Sequence, residues 1–172
     1  MRYLNSIIHA IDVINEHTGR IVIWLAIVLT CVTGFEIISR YVFNAPTKWA
    51  FDISYMIGGS FFVLGQGFTL KNKNHVRIDL FYSRFSPRGR AWIDTIFYLV
   101  FFFPLWIGLL YNLIPYVLFA WKIGERSMRG YWRPILYPFK TVMPVGVLLL
   151  LLQGVAEFIR ALTVLFKKGR VS

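Results

Sequence analysis

Residues 142–166, VMPVGVLLLLLQGVAEFIRALTVLF, form an apolar run of 25 residues that only a few polar side chains interrupt. A helix needs about 20 apolar residues to cross the ~30 Å hydrocarbon core of a bilayer, so this run predicts a membrane-spanning helix. Outward from it, three more runs of that length occur, at Ile21–Phe43, Trp49–Leu70 and Trp92–Phe119. Together with Val142–Phe166 they predict an all-α membrane protein with four transmembrane helices and a single domain over residues 1–172.

The first 20 residues predict an additional helix of a different kind. Leu4, Ile7, Ile8, Ile11 and Ile14 recur at helical spacing, with polar residues between them. This amphipathic pattern is typical of a short helix that lies in the membrane interface. The apolar run that follows is longer than the roughly 7–15 residues of a cleaved signal, so the first span is predicted to be retained.

The distribution of basic residues predicts the orientation of the chain. With the N-terminus in the cytoplasm, eleven Lys and Arg lie on the cytoplasmic side and seven on the opposite side, while Arg160 lies within the fourth span. This bias predicts that both termini are cytoplasmic. The net charge of +11 then belongs to loops that flank the spans and contact membrane lipids. No basic groove or RNA-binding motif accompanies the charge, which argues against a nucleic-acid partner.

Few residues of the kind that catalysis or cofactor binding needs occur in the sequence. Cys31 is the single cysteine, so disulfide exchange within the chain is excluded. The three histidines, His9, His17 and His75, all lie outside the four predicted spans, which argues against haem ligation. No zinc-protease, serine-hydrolase or phosphate-loop motif is present. The sequence therefore predicts neither an enzyme nor a cofactor site in this chain.

Two ionisable residues lie near the end of the first span. Glu36 and Arg40 are four residues apart and share one helix face, where they can pair with each other. Such residues are expensive in lipid and tend to face protein or water. A structural ion pair is one interpretation. The other is a carboxylate that carries a proton or a substrate, as in small exporters with one essential Glu.

The second span begins with an acidic residue and continues with a strip of small residues. Trp49 fits an aromatic belt, and Asp52 lies in the first turns, where the helix dipole favours a carboxylate. Ser54, Gly58 and Gly65 fall within about 40° of one face at 3.6 residues per turn. A strip of this kind lets another helix approach closely, either within the bundle or from a partner.

A polar seam runs along the fourth span. Gly146, Gln153, Glu157 and Arg160 lie within about 60° of one face, while the rest of the helix is Val, Leu, Ile and Phe. Polar residues on such a helix should face protein, so the seam predicts a network inside the bundle or a contact with another subunit. A proton path is the alternative.

The loop after the second span carries a recognisable motif. Residues 73–79 read KNHVRID, and His75, Arg77 and Asp79 resemble the HVRVD signature of the small membrane subunit, the DctQ type, of tripartite ATP-independent periplasmic (TRAP) transporters. The resemblance covers nearly the whole chain and includes the Trp-Arg-Pro at 132–134 and the Pro-Val-Gly at 144–146. Asp52 stands where the family commonly has Glu, which keeps the charge and shortens its reach.

The resemblance implies a function that the residues alone do not. Such transporters reside in the bacterial inner membrane and take up organic acids with a sodium gradient, after a periplasmic substrate-binding protein has captured the substrate. A large membrane subunit of the DctM type holds the substrate and sodium sites. The small multi-pass subunit acts as a scaffold and binds neither. The residues alone leave open an independent ion-coupled transporter that uses Glu36 or Glu157.

The resemblance also leaves three points open. His75, Arg77 and Asp79 are predicted to pin the loop by pairing or to contact lipid headgroups, without catalysis. The small-residue strip and the fourth-span seam are both candidates for the contact with the large subunit. The loop region at 122–140 carries five basic residues and is a candidate contact for an acidic partner.

Overall fold

A computed structural model of the chain describes residues 2–72, 85–129 and 132–166. The helices are α1 (Arg2–Tyr41), α2 (Ala50–Lys71), α3 (Pro87–Phe97), a π turn (Tyr98–Phe102), α4 (Phe103–Ile123) and α5 (Tyr137–Phe166). Four stretches are long and apolar enough to cross a membrane: Asn5–Tyr41, Ala50–Lys71, Arg88–Ile123 and Tyr137–Phe166. The prediction of an all-α fold with four spans is therefore confirmed.

The N-terminal segment is helical as predicted, but it is not a separate helix. α1 is one helix of 40 residues, which corresponds to a length of about 60 Å. The apolar face that the sequence predicted for its first half is only partly buried. Ile11 and the polar Asn15 are buried, whereas Ile7 and Ile14 are exposed. The inward face of this segment therefore carries polar groups, and their partners lie on α5.

The third span is one rod in which the helix geometry changes once. A π turn at Tyr98–Phe102 joins α3 to α4, and Phe103 donates its backbone N–H to the carbonyl of Tyr98. Pro104 follows in the first turn of α4, where its missing N–H costs little. Pro115 lies inside α4, so the carbonyl four residues earlier has no helical donor. The change in helix geometry thus lies in the turn before Pro104.

The helices pack in the order α1, α2, α5 and then the α3–α4 rod. α2 lies between α1 and α5, while the α3–α4 rod packs extensively on α5 alone. The core joins α5 to this rod and to the end of α2; it consists of Leu70, Tyr98, Phe102, Val147, Leu150 and Leu151. α5 begins five residues before the predicted start, and it carries more buried residues than any other helix that the structure describes.

Glycines on α5 set how closely its neighbours approach. A Cβ at Gly146 would lie 2.9 Å from the carbonyl oxygen of Val63 on α2, and a Cβ at Gly154 would collide with the ring of Phe102. Real Cβ atoms do not make such contacts, so both positions require glycine at this helix spacing. Close approach of this kind is how helices gain packing energy in lipid, where no hydrophobic driving force acts between them.

Candidate functional site

The polar seam of α5 faces the bundle and forms a network, as its spacing predicted. Glu157 Oε1 accepts hydrogen bonds from Arg160 Nη1 and, over 3.4 Å, from Gln153 Nε2. Gln153 is fully buried and Glu157 nearly so, while the Arg160 side chain is 36% exposed. Gly146, two turns earlier on the same face, contacts α2 and makes no polar contact. The seam therefore consists of one packing position and three polar ones.

The partners of this network come from the N-terminal half of α1. Asp12 Oδ2 pairs with Arg160 Nη2, and Asp12 Oδ1 accepts a hydrogen bond of 3.1 Å from Gln153. Asn15 Nδ2 donates to Gln153 Oε1 over 3.0 Å and to the backbone carbonyl of Ile11 over 3.2 Å. Asp12 and Asn15 are three residues apart and so share one helix face. The network thus joins the first span to the last.

Asn15 also contacts α2. Its side chain is completely buried, and its carbonyl oxygen Oδ1 has no hydrogen-bond donor among the described residues. This oxygen lies directly against Gly67, where an added Cβ would collide with it. Gly67 therefore makes room for Asn15 at the point where three helices meet.

The network carries a net negative charge. The side chains of Asp12, Glu157 and Arg160 sum to −1 at neutral pH when all three are ionised. Beside them lies an open groove of about 410 Å³ between α1 and α5, lined by Asp12 and Arg160 together with Asn5, Ile8, His9, Thr163 and Val164. The groove lies between the beginning of α1 and the end of α5.

A second ion pair strengthens the same end of the bundle. Lys71 Nζ, in the last turn of α2, lies 2.5 Å from Glu16 Oε2 of α1. Glu16 is one turn after Asp12, so α1 pairs with α5 and then with α2 along neighbouring turns. All of these contacts connect helices to each other within the chain.

Glu36 and Arg40 pair with each other, as the spacing predicted. Arg40 Nη2 lies 2.5 Å from Glu36 Oε1, and the other carboxylate oxygen of Glu36 accepts hydrogen bonds from the backbone N–H and the hydroxyl of Thr47. Nearby, the ring of Trp49 stacks on Phe35 at a centroid distance of 5.9 Å. Glu36 therefore holds the short connection between α1 and α2.

Asp52 has a specific hydrogen-bond partner in addition to its position at the start of a helix. It lies in the first turn of α2 but is only 2% exposed, and its Oδ1 accepts a hydrogen bond of 2.7 Å from the hydroxyl of Ser127. Asp52 Oδ2 has no partner among the described residues. Ser127 is fixed in turn because its backbone N–H donates to the carbonyl of Pro134 over 2.9 Å. The buried carboxylate thus anchors the connection between α4 and α5.

Two of the five basic residues in the 122–140 region are used within the chain. Lys140 Nζ pairs with Glu125 at 2.5 Å and lies 4.1 Å from the ring centroid of Tyr116. The Arg129 guanidinium lies 5.1 Å from the ring centroid of Tyr55. Fewer basic side chains of this region are therefore available to an acidic partner than the five that the sequence contains.

The small-residue strip of α2 faces α1. A Cβ at Gly58 would lie 3.8 Å from Leu29, and a Cβ at Gly65 would lie 3.6 Å from Val22. Both are ordinary packing distances, so the strip is part of the α1–α2 interface. The hydroxyl of Ser54, at the start of the strip, makes no hydrogen bond to the residues that the structure describes. His75, Arg77 and Asp79 lie outside the described residues.

Sequence reasoning missed several residues that hold these networks. Asp12 and Asn15 are among the polar residues of the predicted interfacial helix, and Glu125, Ser127 and Lys140 lie between the third and fourth predicted spans. One feature of the sequence indicates that such partners exist. A membrane helix that carries both Glu157 and Arg160 needs further polar partners from another helix. Within residues 2–72, 85–129 and 132–166, no three His, Cys, Asp or Glu side chains lie close enough to hold a metal ion.

Comparison with known proteins identifies the family. A search of curated proteins finds no match to the chain. The family model described as tripartite ATP-independent periplasmic transporters, DctQ component, matches residues 29–164, which is 136 of the 172 residues. This range extends from the first span to the end of α5 and includes the 73–79 motif. The chain is therefore a multi-pass inner-membrane transport protein and belongs to the DctQ family, the small membrane component of TRAP transporters.

Proposed function

We propose that the chain is the scaffold subunit of a sodium-coupled TRAP transporter that takes up an organic acid. In this role it supports a large membrane subunit of the DctM type and binds neither substrate nor sodium. A periplasmic binding protein delivers the substrate to the complex. Family membership supports the assembly, and the internal networks support the scaffold role.

The observation that carries the scaffold role is the network between α1 and α5. Asp12 and Asn15 of α1 bond to Gln153 and Arg160 of α5, and Arg160 also pairs with Glu157 on its own helix. Polar groups that bond each other inside a membrane bundle fix the relative positions of the helices. A rigid bundle is what a subunit needs if it holds a moving partner in place.

The alternative, an independent ion-coupled transporter, would act through Glu36 or Glu157. A carboxylate that carries an ion must release and rebind it during each cycle. Glu36 is engaged by Arg40 and by two donors of Thr47, and Glu157 is engaged by Arg160. These fixed partners favour a structural role for both carboxylates.

Reconstitution in liposomes tests the proposal. The chain is inserted alone, then with the large membrane subunit, and then with the binding protein added, and sodium-driven uptake of a labelled organic acid is measured. We expect uptake only when all three components are present. Uptake by the chain alone would overturn the scaffold role.

The carboxylate variants separate the two functions further. Glu36→Gln and Glu157→Gln are expected to keep a substantial part of the uptake of the complete complex, with a loss no larger than the loss of assembled complex. An independent transporter predicts that one of them abolishes uptake while the amount of complex is unchanged.

A further inference from the structure

The surface that contacts the large membrane subunit is the main question that the proposed function raises. Both surfaces that the sequence suggested are occupied within the chain, since Gly58 and Gly65 pack on α1 and the α5 seam bonds to α1. The chain nevertheless exposes 12433 Å², whereas a compact monomer of its mass exposes roughly 8,700 Å². A large lateral surface therefore remains for lipid and for partners.

The α3–α4 rod contributes many of the large hydrophobic side chains on this surface. One face of α4, with Trp106, Leu110 and Leu113, packs on the core around α5. Gly108 and Asn112 lie on the opposite face at 3.6 residues per turn, and both are exposed. The face that points away from the bundle therefore carries a glycine and an amide in the middle of an apolar helix.

This face carries polar groups at the depth of the hydrocarbon core. Asn112 lies ten residues before Lys122, which places it about 15 Å from that end of the helix and near the centre of a ~30 Å core. Its Nδ2 donates to the carbonyl of Gly108 over 2.8 Å, and its Oδ1 accepts no hydrogen bond from the described residues. Pro115 has no N–H, so the carbonyl of Tyr111 lacks its helical donor on the same side of the helix.

Asn112 Oδ1 has no hydrogen-bond donor among the described residues, and lipid tails provide none. The Tyr111 carbonyl, which Pro115 deprives of its usual helical donor, is a second acceptor on this side. Gly108 gives access to them, since no atom lies within 4 Å of an added Cβ at that position. A helix that approaches here reaches the backbone of α4 and can donate to Asn112 Oδ1 and to the Tyr111 carbonyl. Ser, Thr, Asn or Gln side chains on a membrane helix provide such donors.

We propose that the Gly108–Asn112–Pro115 face of α4 binds a transmembrane helix of the large membrane subunit, which donates hydrogen bonds to it. The inference rests on the proposed function and specifies its partner surface. The α1 face around Gly34 provides a matched comparison. Gly34 is also open, with no atom within 4 Å of an added Cβ, but the nearby Thr30 and Thr33 hydroxyls already donate to backbone carbonyls of α1.

Co-purification of the large subunit with the tagged chain tests this surface. Gly108→Leu and Asn112→Leu are compared with Gly34→Leu, and the amount of each variant in the membrane is measured in parallel. Both glycine variants have room to fold, because no described atom lies near either added Cβ. We expect Gly108→Leu to lower the co-purified large subunit roughly tenfold or more, since a bulky side chain separates the helices. Gly34→Leu should keep it at the unsubstituted level.

The outcomes distinguish the inference from the function on which it rests. If the unsubstituted chain binds the large subunit and Gly108→Leu binds equally well, this surface is wrong and the scaffold role stands. The surface is also wrong if Gly34→Leu loses the partner to the same extent. If the unsubstituted chain fails to bind the large subunit, the inference and the proposed function both fail.

A photo-crosslinking amino acid at position 112 identifies the occupant directly. The expected product joins the chain to the large subunit, and the same probe at position 34 should not form it. A product of twice the 20.1 kDa mass of the chain would assign the face to a second copy. Crosslinking to lipid alone would assign it to the bilayer. Either result would overturn the inference.

Discussion

Replacing Gln153 by Leu tests the α1–α5 network without leaving a charge unpaired. The substitution removes two hydrogen bonds between helices, one of 3.0 Å from Asn15 and one of 3.1 Å to Asp12. Asp12 keeps Arg160, and Asn15 keeps the carbonyl of Ile11. Leu has a similar volume, so the loss of packing is small.

The expected cost follows from hydrogen bonds in membrane bundles. Such bonds contribute about 0.6 kcal/mol on average and about 1.7 kcal/mol at most. Two of them, with Gln153 completely buried, predict that Gln153→Leu lowers the free energy of unfolding by about 1–3 kcal/mol. Removal of Arg160 should cost more, because it would leave two carboxylates without their cation.

The measurement is unfolding of the purified chain in mixed micelles by increasing SDS, followed by the fluorescence of its six tryptophans. Gln66→Leu on α2 is the matched control, because the Gln66 side chain makes no hydrogen bond to the described part of the chain. That control should unfold within about 0.5 kcal/mol of the unsubstituted protein. Equal unfolding of the two variants, or unfolding of Gln153→Leu at the unsubstituted midpoint, would refute the reasoning.

Two further substitutions have specific expected effects. Gly154→Leu should destabilise the bundle by about 1–3 kcal/mol in the same SDS titration, because its side chain meets the buried ring of Phe102. Ser127→Ala should cost about 1–3 kcal/mol, because it leaves Asp52 without its donor in a site that is 2% exposed. Limited proteolysis should then cut the α4–α5 connection faster.

Each of these substitutions has a control in the same chain. Gly34→Leu adds the same side chain where no atom lies within 4 Å of the new Cβ, so its midpoint should stay near that of the unsubstituted chain. Ser54→Ala removes a hydroxyl that makes no hydrogen bond to the described residues, so the cleavage rate should not change. If a control behaves like its test variant, the contact assigned to that test variant does not determine stability.

The spans were predictable from sequence because the bilayer imposes one requirement on every spanning helix, a sufficient apolar length. The α5 seam was predictable for a similar reason. Gln153, Glu157 and Arg160 recur at helical spacing on an otherwise apolar helix, and it is energetically unfavourable for these side chains to face lipid. Their orientation toward protein followed from the sequence of α5 alone.

The identity of their partners did not follow, because it depends on which helix lies next to α5. The sequence around Asp12 and Asn15 fits a helix at the membrane surface as well as it fits a helix packed against α5. Ser127 likewise has the composition of an ordinary loop residue, and only the fold brings it to Asp52, 75 residues away. The π turn at Tyr98–Phe102 had one local signal, the proline that follows it.

The contact between Asp12 and Arg160 also has a consequence for biosynthesis. The two residues are 148 positions apart, so translation at about 5–20 residues per second leaves Asp12 without its cation for roughly 7–30 s. During that interval the nascent chain presents an unneutralised carboxylate on a helix that is already emerging. Insertion of α5 brings Arg160 to Asp12, so the contact that fixes α1 against α5 forms only after α5 has been made.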